Sequence, residues 1–163
     1  MRKFDFAIDK DINKQYNDAA NYYQQSIDEG NINLDGYLNL AFLYWIFQDF
    51  GFSSYFNISN ELVDIGCEKY PEILKKGIQQ FPNNLELHFW ERYFQHISYG
   101  EEFSEKDCQK LLKEYGDSES IVPYFFLYLF DKEKYKEKRN ELLDRCNEHP
   151  TAKNIYIKSI IEK

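Results

Sequence analysis

Apolar residues recur along this chain three and four places apart, and no stretch alternates apolar with polar for long between turn dipeptides. That period belongs to amphipathic helices rather than strands. Ala19, Tyr23, Ser26 and Ile27 share one face of a predicted helix over 18–29, and Gly30 stops it. Asp35 is expected to cap the next helix, which carries Tyr37, Leu40, Phe42, Leu43, Tyr44, Trp45 and Phe47. Apolar groups cover most of its circumference, so it should be buried on two sides. Residues 48–60 interrupt the pattern with Gly51, Ser53, Ser54 and Asn57, yet keep Phe50, Phe52, Tyr55 and Phe56. They predict an aromatic loop or a short extra helix.

Leu62, Ile65 and Gly66 begin one helical stretch. Pro71, suited to a first turn, begins a second with Ile73, Leu74, Gly77, Ile78 and Phe81. Pro82 and the asparagines after it form a turn. Leu87, Phe89, Trp90, Tyr93, Phe94 and Ile97 then predict a helix that Gly100 ends. Ser104, with Asp107 three residues on, predicts a capped start for a stripe of Cys108, Leu111, Leu112 and Tyr115, closed by Gly116. Ser118 or Ser120 is expected to open a helix through IVPYFFLYLF, with Pro123 in its first turn. The charged stretch 132–148 keeps a thin stripe of Tyr135, Leu142, Leu143 and Cys146. His149-Pro150 breaks it, and Thr151 caps a last helix with Ile155, Ile157, Ile160 and Ile161. The expectation is one all-α domain over 1–163, with eight or nine helices and an irregular insertion near 48–60.

Pro82, Gly116 and Pro150 stand 34 residues apart, each after a short amphipathic stretch. That period is the mark of stacked helix–turn–helix units, which commonly form binding surfaces. Tyr37, Leu40, Ala41 and Tyr44 match the first helix of such a unit; Ala19, Tyr23, Ser26 and Ile27 match a second helix, with Asn31 in place of the closing proline. Gly77, Ile78 and Pro82 match the end of another unit. On these residues the chain resembles a degenerate tetratricopeptide-repeat array. The resemblance covers roughly 16–150 in period and is specific near 16–45 and 77–82; the small residues of later units give way to rings such as Phe94 and Phe126. It implies a right-handed stack of antiparallel helix pairs, with the first helices lining a concave face.

Under that resemblance the concave face would carry Leu38, Phe42 and Trp45, then Phe89, Tyr93 and His96, then Leu127 and Phe130. A groove of rigid rings suits partner binding, because rings bury much area at little entropic cost. The alternative is that the rings fill a core. Where a related subtype grips a carboxylate tail with Lys, Arg and Asn, this chain offers only Asn39. A tail-binding cochaperone is therefore not expected.

Charge adds a second candidate. The formal net charge is −8, and residues 1–130 hold 21 Asp and Glu against 11 Lys and Arg. An acidic body repels phosphate backbones and anionic membranes and favours basic partners. Glu101, Glu102, Glu105 and Asp107 cluster, with Asp117 and Glu119 further on; they form either a solvated loop or a docking rim for a basic ligand.

Catalytic and metal chemistry find little support. His88 and His96 differ in direction by about 80° on a helix, and there is no HExxH. His88 and Glu91 could meet at i+3. Cys67, Cys108 and Cys146 form no CxxC pair, which suits a reducing cytosol, and all three fall on apolar stripes where buried, inert thiols are expected. The N-terminus MRKFDFAIDKD is not a signal peptide, and the apolar runs 40–47 and 121–130 are too short to span a bilayer. The expectation is a cytoplasmic, non-enzymatic protein without cofactor or metal. It would sequester one basic protein partner, as a bacterial immunity protein neutralises a nucleic-acid-directed toxin. An adaptor or secretion chaperone with a peptide in the aromatic groove is the alternative, and an incomplete stack of this kind can hide its last apolar face in a homodimer.

Overall fold

A computed structural model describes residues 2–116 and 119–163. Among them are ten helices and no strand. The chain divides into two compact units: residues 1–81 with 150–153, and residues 82–149 with 154–163.

The first unit holds α1 (Lys3–Ile12), α2 (Tyr16–Asp28), α3 (Leu34–Ile46), α4 (Phe50–Tyr55) and α5 (Asn60–Gln80). α1 packs on α2, α2 on α3, and α3 on α5. Every residue of α3 from Gly36 to Trp45 is buried, as its all-round apolar pattern demands with helices on two sides. Each large side chain so enclosed contributes roughly 1.5–3 kcal/mol.

Several local expectations change. Asn33, not Asp35, caps α3; its Oδ1 accepts from the Asp35 and Gly36 N–H groups, which puts Asp35 inside the first turn, where it favours the helix dipole. The N-terminus is helical as α1, because Phe4, Ala7, Ile8 and Asp11 recur on one side despite the charges between them. Residues 60–80 form one helix rather than two, and Pro71 lies inside it. Pro71 has no N–H for the Cys67 carbonyl. Both residues are exposed, so water can take that bond, and the break costs less than losing the faces on either side of it. Cys67 is correspondingly exposed, a correction to the expected buried thiol, whereas Cys108 and Cys146 are buried.

The second unit holds α6 (Leu85–Tyr99), α7 (Glu105–Glu114), α8 (Tyr124–Tyr128), α9 (Lys136–Glu148) and, from Asn154 on, α10 (Ala152–Ile161). α6 packs on α7 and α8 on α9. Asn84 caps α6, and Gly100, at φ 69°, closes it in the left-handed conformation glycine adopts freely. Ser104 and Asp107 form the expected capping box on α7. The helix expected through IVPYFFLYLF shrinks to the five residues of α8: Ser120 Oγ accepts from the Val122 N–H and forms a turn ahead of Pro123. Ser118 lies outside the described residues. Residues 132–135 are turn, and α9 starts after them. Pro82, Gly116 and Pro150 each fall just after a helix, namely α5, α7 and α9.

The core of this unit is a ring cluster. Phe89 lies 5.5 Å from Phe125 and 5.9 Å from Phe103; Trp90 lies 5.4 Å from Tyr93 and 5.3 Å from Phe94. Edge-to-face and tilted pairs dominate, as ring quadrupoles favour. The polar tips are satisfied: Trp90 Nε1 donates to the buried Glu86 carboxylate at 3.0 Å, and the Tyr93 and Tyr156 hydroxyls bond at 2.6 Å.

Candidate partner-binding surface

Six of the eight residues expected on a groove, Leu38, Phe42, Trp45, Phe89, Tyr93 and Leu127, are buried. Leu38, Phe42 and Trp45 belong to the first unit and the other five to the second. His96 is half-buried, and only Phe130 is exposed. The reason is mutual packing: Phe42 contacts Trp45 at 5.8 Å, and Phe89 and Tyr93 both contact Phe125 and Phe126.

In the second unit, apolar groups are exposed at the C-terminal end of α6 and just after α8. Ile97 and Tyr99 leave that end 51 % and 64 % exposed, and Leu129 and Phe130 follow α8 at 52 % and 48 %. Phe126 joins the two ends. It lies 5.8 Å from His96 and 5.1 Å from Phe130. Contiguous exposed apolar patches mark interaction sites more often than side chains scattered singly.

Between these ends runs the acidic segment 101–107, and its backbone is held firmly. Gly100, in the left-handed conformation, ends α6, and the Glu101 N–H donates back to the Gln95 carbonyl at 3.4 Å. His96 Nδ1 then bonds the Glu101 carbonyl at 2.8 Å, and Arg92 reaches the Glu102 carbonyl. The Arg92 guanidinium also sits 4.9 Å over the Phe103 ring, a cation–π contact. Phe103 itself is buried and stacks on Phe126 at 4.8 Å, with 10° between the ring planes. It anchors the segment to the core.

The four candidate acids divide by role. Asp107 Oδ2 accepts from the Ser104 N–H at 3.0 Å and lies 3.8 Å from Arg92. The hydrogen bonds from Ser104 hold its carboxyl below the usual range. Glu105 Oε1 accepts from the Tyr135 hydroxyl at 2.9 Å and from Gln109, and lies 3.9 Å from Lys134. Those two acids serve the fold. Glu101 and Glu102 are exposed, and their carboxylates make no ion pair among the described residues. Glu119 is exposed too, and its carbonyl accepts from Arg145; Asp117 lies outside the described residues.

The histidines and thiols are occupied otherwise. His88 Nε2 bonds the Pro82 carbonyl at 2.7 Å, and its ring stacks on Tyr115 at 4.2 Å; no bond to Glu91 forms. Burial pushes the Cys108 thiol up to about 12. Among the described residues no three His, Cys, Asp or Glu side chains are grouped to hold a metal ion, and no helix is long and apolar enough to cross a membrane.

Sequence reasoning missed Tyr99, the last residue of α6, and Leu129, the first after α8, because each stands at the end of a helix whose rings point inward. It placed Ile97 on the buried stripe of α6, whereas the helix end carries that residue past the core. In the first unit, Phe50 and Tyr55 on α4 are 86 % and 79 % exposed. Their neighbours Phe52 and Phe56 pack on Tyr16 at 5.3 and 4.8 Å and fix the helix.

No protein-family model matches the chain, and no curated protein or solved structure is significantly similar to it.

Proposed function

We propose that this chain is a non-enzymatic binding module that sequesters one basic protein partner, in the manner of a bacterial immunity protein that neutralises a toxin acting on nucleic acid. The observation that carries the reading is the surface at the end of α6. There the exposed side chains of Ile97, Tyr99, Leu129 and Phe130 accompany the carboxylates of Glu101 and Glu102, which make no ion pair among the described residues. Apolar contact would supply affinity, and the carboxylates would supply association rate and register against Lys or Arg. The firm backbone of 101–107 reduces the entropy lost on binding. The packing of successive helices, α1 on α2 and α2 on α3, supports a degenerate tetratricopeptide-like arrangement as the scaffold. A peptide-holding aromatic groove is less well supported, because most of the residues it needs are buried.

The test is co-expression with the product of a neighbouring gene, followed by assays of binding, nuclease activity and growth protection. Complex formation with loss of the partner's activity is the expected result. Charge reversal at Glu101 and Glu102 together should weaken the complex roughly tenfold, mainly by slowing association. A partner that binds without losing any activity removes the immunity reading. Trp45→Ala or Tyr93→Ala that abolishes binding in a folded protein, with the charge reversal silent, moves the contact to the groove.

A further inference from the structure

Of the four rings at 50–56, two face inward. Phe52 and Phe56 pack on Tyr16, and Phe52 also meets Phe47 at 6.2 Å. Phe50 and Tyr55 face outward and are almost wholly exposed. At 3.6 residues per turn they stand about 140° apart around α4 and roughly 7.5 Å apart along it. The arc between them holds only Gly51 and Ser54, both exposed. A Cβ on Gly51 would meet Asp49 Oδ1 at 3.2 Å and otherwise open space. Two rings thus flank a floor of small residues, a slot for one long, narrow side chain.

The slot is held in place. Asp49 Oδ1 accepts from the Phe52 N–H at 2.9 Å, and the Ser53 hydroxyl donates to the Phe47 carbonyl. Tyr55 rests against Phe56 at 4.8 Å. Asn17 of α2 fixes the chain that follows: its Nδ2 donates to the Asn57 carbonyl at 3.1 Å, and its Oδ1 accepts from the Ser59 N–H at 2.8 Å. A surface set in advance loses little entropy on binding.

Charge selects the occupant. Residues 15–68 hold eight Asp and Glu and no Lys or Arg, while the rest of the chain holds twenty of each sign, so the formal −8 belongs to this stretch. All eight acids are exposed, and none makes an ion pair among the described residues. Asp49 precedes Phe50, Glu61 and Asp64 lie in the first turns of α5, and Asp18 adjoins Asn17. The nearest cations in sequence are Lys14, and Lys69, which pairs with Glu72. A second copy of the chain would bring the same acids and be repelled.

We propose that the outward face of α4 is a docking surface for a basic polypeptide segment, with a Lys or Arg side chain lying between Phe50 and Tyr55. The aliphatic stem covers Gly51 and Ser54, and the cation meets a ring face. The neighbouring acids speed the encounter and disfavour acidic segments. This surface lies in the first unit and binds whether or not the end of α6 does.

Fluorescence anisotropy with a labelled Arg–Gly repeat peptide tests this on the full chain at about 0.15 M salt, where charge acts only over a Debye length. The peptide should bind, a Glu–Gly peptide should not, and the amide resonances that shift should cluster at 49–64. Phe50→Ser with Tyr55→Ser should weaken binding roughly tenfold at an unchanged melting temperature, because both rings lie outside the core. Glu101→Lys with Glu102→Lys should leave the shifts at 49–64 in place, which separates this surface from the one at the end of α6. Absence of binding, equal affinity in the ring variant, equal binding of the Glu–Gly peptide, or shifts confined to other helices overturns the proposal. Ring-dependent co-sedimentation with phosphatidylcholine vesicles in place of peptide binding also overturns it and makes the two rings a lipid anchor. Should the double variant not fold, Tyr55→Ser alone decides by the same comparison.

Discussion

Gly66 lies in the middle of α5, where a Cβ would stand 2.8 Å from the Tyr44 carbonyl oxygen and 2.7 Å from Gln48 Nε2. Gln48 Nε2 also donates to the Val63 and Tyr44 carbonyls, at 3.0 and 3.2 Å, and so joins α5 to the end of α3. The amide could swing aside, but the Tyr44 backbone could not. Gly66→Ala should therefore destabilise by about 1–3 kcal/mol, the usual cost of overpacking, read as a lowered denaturation midpoint at unchanged slope. An unchanged midpoint would show that α3 and α5 can part at little cost. The thiols offer a second check at this scale. Cys67 is exposed, while Cys108 and Cys146 are buried. A thiol reagent at neutral pH should modify one cysteine quickly in the native protein and all three in denaturant. Rapid loss of a second thiol would mean that the ring cluster around α6 opens readily.

At the scale of elements, α5 is the informative helix. The proline in it suggests a break by itself, yet the helix runs through. Ile73, Leu74 and Gly77 beyond Pro71 share a buried face with Leu62, Gly66 and Tyr70 before it. A break would misalign the two halves of that face. Burial of several such side chains, at roughly 1.5–3 kcal/mol each, outweighs the roughly 3 kcal/mol that an interior proline costs. Pro71→Ala, on the exposed side, should restore the bond to the Cys67 carbonyl. It should raise stability by about 1–2 kcal/mol, less than the full helix penalty because proline also restricts the unfolded chain. Thermal or chemical melting measures it, and a loss of stability would mean that the kink itself is needed for packing.

For the whole molecule the relevant property is charge. A formal −8 leaves an acidic field that extends about a Debye length, ~8 Å at physiological salt. If a basic partner is captured as proposed, its association rate should fall at least tenfold between about 0.05 and 0.5 M salt while its dissociation rate changes little. Stopped-flow mixing reads both. A salt-independent association rate would leave the apolar side chains as the whole basis of recognition.

Much of this was legible in residue order. The 3.6-residue period gave the helical class, and Gly30, Gly100 and the Ser104–Asp107 pair gave element ends, because caps and periodicity act through neighbours a few places apart. The acidic segment beside α6 could be found the same way, since charge needs no folding to be counted. What depended on tertiary structure was every question of which side faces what. Whether Phe89 and Tyr93 line a groove or fill a core, whether Pro71 ends a helix, and which of Glu101, Glu102, Glu105 and Asp107 stay unpaired are settled by partners distant in sequence. Asp11 is the clearest instance: in the sequence it is one acid in a charged N-terminus, and only folding brings Tyr23 and Ala152 to its two oxygens. The sequence determined the helical class, several helix ends and the charge the chain carries, because period, caps and charge are local; long-range packing decided where the helix through Pro71 ends and which rings and carboxylates remained on the surface to act.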